Sequence, residues 1–265
     1  MFEHNPLPIP SPLKYIESQL KLSILPFLSI LPEKKYTQPH GSKLAGQPYL
    51  PYNEKLPVNK KGEVMQLLAQ LNFAEIGDIP PFPKEGLLQI FVDPDLFKTS
   101  MNTQRISSTH YTTRYYNKVS YNVIELYSIQ NTQSNFIIQE EKSLQLIPKV
   151  EPISLTDYRF KHFINDQQIA IFFENTSNIF EEIYSQYYLS AEHKIGGYPY
   201  FLYKDIRGNS PSLRKYDTLL LQIVSNDVDN IMIGDCGVLK IFINNQKLRE
   251  NNYTDLLFYV EDYSN

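Results

Sequence analysis

Three short segments hold the residue types from which an active site is built. His193 and Lys194 stand directly before Gly196 and Gly197, which would set an imidazole base over a glycine-rich turn. Asp205 and Arg207 are two apart; a carboxylate and a guanidinium so placed either clamp a carboxylate or phosphate ligand or pair with each other and organise a loop. Gly234-Asp235-Cys236-Gly237 puts a thiol between glycines after an aspartate, an order like that of the nucleophile loop of serine proteases. A cysteine nucleophile needs a histidine in reach and donors for the developing oxyanion. The candidate set is therefore His193, Asp205, Arg207, Asp235 and Cys236. If the five converge in one cleft, the chain reads as a hydrolase or transferase; if they disperse, it reads as a binding or interaction module.

Metals and cofactors find little to hold them. The histidines at 4, 40, 110, 162 and 193 are widely spaced, and the single cysteine excludes any multi-cysteine site. HExxH, EF-hand and CxxC patterns are absent, as are glycine-rich phosphate loops. The expectation is a protein with no metal and no obligate cofactor.

The elements that must position the candidates repeat. Laying residues 43–92 over 194–243, an offset of 151, matches Lys43 with Lys194, Gly46 with Gly197, Pro48 with Pro199, Tyr49 with Tyr200 and Tyr52 with Tyr203. One residue of slippage then brings Leu67, Leu68 and Gln70 onto Leu219, Leu220 and Gln222. The slippage reverses before Gly86, Leu88, Ile90 and Phe91, which fall on Gly237, Leu239, Ile241 and Phe242. A repeat of this kind implies two copies of one unit packed about a pseudo-twofold axis. His193 faces Ser42 in the alignment, so the lysine and glycine are shared while the histidine belongs to the second copy alone. The shared Gly86 and Gly237 read as tight turns entering strands. The shared glutamines, set inside apolar runs, must satisfy their amides, and backbone groups across the pseudo-dyad would serve.

Apolar runs at Val64–Phe73, Gly86–Val92, Thr218–Val224, Val238–Ile243 and Asp255–Val260 read as strands. Ile24–Ile30 reads as a further strand closed by Pro32, and the prolines of residues 77–85 as an irregular loop. Residues 12–22 place Leu13, Ile16 and Leu20 on one face of a short helix with Ser11 as its cap. Ile179, Ile183 and Tyr187 mark a second helix over 175–188. The expected class is α+β, predominantly antiparallel sheet, internally duplicated, with a few peripheral helices in one domain over 1–265. Residues 99–150 give no clear pattern beyond strand-like character from 99 to 128.

Composition narrows the partners. With 20 Tyr, 15 Phe and no Trp, the chain is rich in rings that suit strands. A net charge of −4 with scattered basic residues lacks the footprint of a nucleic-acid binder. The most apolar stretch, 24–31, is interrupted by Pro26 and is far short of the roughly 20 residues that span a bilayer. The acid, histidine and prolines of MFEHNPLPIPSP argue against a signal peptide, and one cysteine suits a reducing compartment. The expected setting is the cytoplasm, with a protein or small molecule as partner. The acidic balance also suits a third role, an immunity protein that blocks a toxin.

HKIGGYPYF at 193–201, Asp205-Ile206-Arg207, LLLQIVSND at 219–227, GDCGVLKIFI at 234–243, QLNFAEI at 70–76 and PPFPKEGLLQIFV at 80–92 together resemble the YwqG-like family of bacterial proteins, over roughly residues 40–265. The resemblance implies a cytosolic, duplicated, sheet-rich fold and brings no established activity. Where that family commonly carries tryptophans, before the Gly-Asp pair and in the closing segment, this chain has Ile233 and Glu261. A binding surface built on those rings would be altered here.

Overall fold

The computed structural model describes residues 7–97, 104–120, 123, 136–165, 167, 169 and 177–263. Continuous apolar runs, too short for helices, become strands buried on both faces. Among the described residues eleven strands form one antiparallel curled sheet: β1 (Leu25–Glu33), β2 (Lys43–Leu44), β3 (Gln66–Asn72), β4 (Leu87–Val92), β5 (Gln104–Ile106), β6 (Tyr111–Tyr116), β7 (Lys142–Glu151), β8 (Lys194–Gly196), β9 (Thr218–Val224), β10 (Val238–Ile243) and β11 (Leu256–Glu261). Their spatial order is β5-β11-β10-β9-β8-β1-β7-β2-β3-β4-β6. The helices are peripheral: α1 (Glu17–Leu22), α2 (Phe73–Ile76), α3 (Phe160–Phe163), α4 (Ser177–Tyr188) and α5 (Asn245–Arg249).

At the centre β1 and β7 pair from Leu25↔Glu151 to Glu33↔Ser143. On either side the pattern recurs. Lys194 of β8 lies opposite Gln222 of β9, and Lys43 of β2 opposite Gln70 of β3. Ser29 of β1 lies opposite Lys194, and Ser143 of β7 opposite Lys43. The register slips past Leu220 in the β9–β10 ladder and past Leu68 in the β3–β4 ladder, two residues that the sequence alignment pairs.

The curl brings the edges together. Tyr111 of β6 donates its hydroxyl to the Leu256 carbonyl of β11 and accepts from the Leu256 amide, and its ring stacks on Phe258 with centroids 4.3 Å apart. Inside the curl, Leu88, Ile90 and Val92 of β4 meet Leu239, Ile241 and Ile243 of β10 in the largest apolar cluster. Outside it, Phe242 packs with Phe201, Leu219 and Tyr259. A third cluster joins Leu13, Ile16 and Leu20 to Phe160, Phe180 and Tyr184 of α3 and α4.

Several local expectations are corrected. The helix at 12–22 is a 3-10 turn, Ser11–Ile16, that passes into α1, and Pro10 rather than Ser11 takes the cap position without a side-chain hydrogen bond. β1 runs through Pro32 to Glu33, because β8 pairs only with Phe27–Ser29 and the missing proline amide lies beyond that contact. Asn72 caps the unforeseen α2 by accepting from the Ala74 amide. Ile233 and Glu261 are both fully buried, so no surface is built on those positions. Of the strand-like reading over 99–128, β5 and β6 are strands, while residues 99–103, 121, 122 and 124–128 lie outside the described residues, as do 175 and 176 of the second helix.

The two turn glycines are required for different reasons. Gly86 has φ +99° and sits under Tyr115. At Gly237 a Cβ would stand 2.3 Å from the Ile233 carbonyl oxygen and 2.6 Å from that of Glu261, both backbone atoms that cannot give way. Gly237→Ala is therefore expected to lower stability by roughly 2–3 kcal/mol, read as a drop in the chemical-denaturation midpoint; an unchanged midpoint would remove the close-approach explanation.

Candidate functional site

The shared Lys-x-x-Gly turn is a socket for a carboxylate. Lys194 is fully buried and donates to both oxygens of Glu151, at 2.8 and 2.9 Å. Glu151, the last residue of β7, also accepts from the Tyr198 amide at 2.7 Å and the Ser190 hydroxyl at 2.6 Å. A Cβ on Gly197 would fall 2.2 Å from Glu151 Oε1, so the glycine admits the carboxylate. The other half repeats this with Lys43, Gly46 and Glu141: Lys43 Nζ lies 3.4 Å from Glu141, whose other oxygen accepts from the Gln47 amide. Glu141 is about a quarter exposed, and burial pulls the Lys43 pKa down against the attraction of Glu141.

The glutamines close the same turns from within their own half, not across the pseudo-dyad. Gln70 accepts from the Tyr49 amide and donates to the carbonyls of Pro39 and Gly41. Gln222 accepts from the Tyr200 amide and donates to those of Ser190 and Glu192. All three partner pairs are 151 apart, and the turn lies directly over the glutamine, so backbone groups of the same half satisfy its amide.

His193 fits this frame. Its Nδ1 accepts from the Val224 amide at 3.2 Å; in the other half the Ser42 hydroxyl accepts from the Asn72 amide at 3.0 Å. Imidazole and hydroxyl thus do one job, terminating the strand after the shared glutamine. The ring is 4% exposed, and Nε2 is buried with no hydrogen-bond partner among the described residues. Burial drives its pKa down to about 4, against the pull of Asp229 and Glu192. Burial dominates over the neighbouring charge, and the carboxylates that act on the ring are Asp229 and Glu192 rather than Asp205 or Asp235.

Asp205 and Arg207 do come together, but they close on each other. Arg207 is fully buried; its Nη2 lies 2.7 Å from Asp205 Oδ2 and 3.1 Å from Asp157 Oδ2, and its Nη1 donates to the Tyr216 carbonyl. The guanidinium lies 4.4 Å from the Phe242 ring centre. Asp205 also accepts from the amides of Arg207 and Tyr158. Burial pushes the Asp157 carboxyl up, but Arg159 and Arg207 outweigh it and hold the group below its usual range. Behind Phe201, Lys240 pairs with Glu261, and burial brings the ammonium down to about 8. Among the described residues, protein partners occupy the buried guanidinium of Arg207, which leaves it closed to a ligand's carboxylate or phosphate.

Asp235 and Cys236 lie on an exposed turn. Their interaction pushes the thiol pKa up, first through the hydrogen bond that the thiol donates to Asp235 and then through the carboxylate's charge, the opposite of what a thiolate nucleophile needs. The structure therefore places the five candidates in three settings: a buried strand terminator, a buried ion pair and an exposed turn.

Other polar groupings were not legible as motifs. His110 pairs with Asp93 at 2.7 Å, in a cleft of about 340 Å³ that also holds Lys61, Arg105 and Ser107; seventeen residues and a strand junction separate the two in sequence. A second cleft, about 350 Å³, lies beside β7 and is lined by Tyr36, Thr37, Ser42, Glu75, Leu144 and Leu146 among others. Among the described residues no group of three or more His, Cys, Asp or Glu side chains could hold a metal ion, and no helix is long and apolar enough to cross a membrane.

None of the curated proteins matches the chain. A family model described as a domain of unknown function, DUF1963, matches residues 42–261, which takes in both lysine sockets, both shared glutamines and all five candidate residues. The chain belongs to that family.

Proposed function

We propose that this chain is a binding or interaction module of the bacterial cytoplasm, YwqG-like in its finer kinship and descended from a duplicated unit. One observation carries the reading: the residues best suited to chemistry are held in structural roles or stand apart. Arg207 and Asp205 satisfy each other, His193 does the work of Ser42, and the Cys236 thiol is shifted away from its reactive form. A hydrolase or transferase acting through them would have to break a buried ion pair or protonate a ring that burial keeps neutral. The repeated ladders, slips and glutamine turns on either side of β1 and β7 support descent from two copies. The resemblance and the lone cysteine support the cytoplasmic setting.

The test uses the full chain with a bacterial small-molecule extract, followed over time by mass spectrometry. A binding module retains a ligand in stoichiometric amount and returns it unchanged. Time-dependent consumption of a compound that stops in Cys236→Ser or Asp235→Asn would instead establish an enzyme using that turn.

A further inference from the structure

The cleft beside β7 exists because the two halves differ at two adjacent positions. In the half that contains β8, the residues before the shared lysine are Glu192 and His193; in the half that contains β2 they are Gly41 and Ser42. Equivalence of the positions rests on shared bonds: Gln222 and Gln70 hold the carbonyls of Glu192 and Gly41, and His193 and Ser42 accept the amide that ends the neighbouring strand. Glu192 reaches across β1 to the Ser29 hydroxyl and to Lys149, and Ile30 donates its amide to the His193 carbonyl, so that side is filled and tied down. Glycine and serine leave the corresponding volume open over Leu144 and Leu146.

The walls define what would fill it. Among the described residues lining the cleft, Glu75 is the only charged one. Its Oε2 is held by the Ser42 amide at 2.8 Å, which fixes the carboxylate in place. Tyr36 presents a ring that is 82% exposed, and Thr37, only 9% exposed, buries a hydroxyl that has no hydrogen-bond partner among the described residues. A fixed carboxylate and an open aromatic face in one cleft favour a cation, and Lys43, whose charge Glu75 feels, is buried outside the lining. An orphaned buried hydroxyl is unfavourable until a polar partner arrives.

We propose that this cleft binds a small organic ammonium compound, with its charged head between Glu75 and Tyr36 and its apolar part on Leu144 and Leu146. The proposal rests on the binding-module reading and names its ligand class. It is tested on the full chain by amide NMR titration with choline chloride, with glucose and sodium phosphate as contrasts. Choline is expected to give saturable shifts confined to residues 36–42, 75 and 143–146, while the neutral and anionic probes give none. Glu75→Gln, whose side-chain oxygen still accepts from the Ser42 amide, should weaken choline at least tenfold with the rest of the spectrum unchanged. Ser42→His, which imports the other half's residue and keeps an acceptor for the Asn72 amide, should block the cleft. Absence of saturation, equal shifts with glucose or phosphate, or undiminished binding by Glu75→Gln overturns the ammonium site. Those outcomes leave the binding-module reading standing, since that reading fails only on ligand turnover.

Discussion

Arg207→Met is expected to lower stability by about 3–5 kcal/mol, the usual effect of breaking a buried ion pair from one side, which for a chain of this size corresponds to a fall in melting temperature of roughly 10 °C. The methionine fills much of the arginine volume, so the loss comes from Asp205, a carboxylate 2% exposed whose ionic partner is removed. Asp157 keeps Arg159 at 2.7 Å and is the less affected of the two. Stacking on Phe242 is lost as well. Scanning calorimetry of the variant checks this. A melting temperature near that of the wild type, coupled to loss of some ligand, would mean that Arg207 is a clamp whose native contacts contribute little to folding.

The two lysine sockets should respond unequally to the same change. Glu151→Gln keeps the shape but leaves the Lys194 ammonium fully buried opposite a neutral amide, and about 3–5 kcal/mol should be lost. Glu141→Gln acts on a carboxylate about a quarter exposed and 3.4 Å from its lysine, where water takes over part of the solvation, and the expected loss is about 1 kcal/mol. Urea denaturation of both variants measures the difference. Equal losses would show that burial of the acid does not set the strength of these sockets.

How much of this was legible depended on whether a residue's partners were near in sequence. β9 and β10 fall on the sequence boundaries 218–224 and 238–243 because each is an unbroken apolar run buried on both faces. β7 left no such trace: its Leu144, Leu146 and Ile147 are only half buried, Pro148 interrupts it, and its partners in β1 lie more than a hundred residues away. The lysine and glycine of each socket were visible as shared letters, but the acids that explain them are Glu151 at the end of that unread strand and Glu141 directly before its start. His193 stood out for its type, and its role emerged only when Val224 and Asn72 showed that imidazole and hydroxyl accept equivalent amides. The His110–Asp93 pair required the folding of β6 back along β4 and gave no spacing signal.

The central claim, that the most reactive-looking side chain of this chain is a neutral strand terminator, is tested most directly by the protonation of the His193 ring. Its folded pKa of about 4 lies below the ordinary 6.5. Below pH 6.5 the unfolded chain therefore binds the proton that the folded ring refuses. The ring's contribution to stability is complete above that pH and is lost as pH falls towards 4, a change on the order of 3 kcal/mol. Ring 15N NMR, with the signal assigned by its absence in His193→Ser, is predicted to show Nδ1 unprotonated and the ring neutral from pH 8 down to about 4, unchanged in Asp205→Asn and Asp235→Asn. A ring that titrates at or above 6.5, and shifts when either aspartate is replaced, would contradict the account and return His193 to the candidates for catalysis.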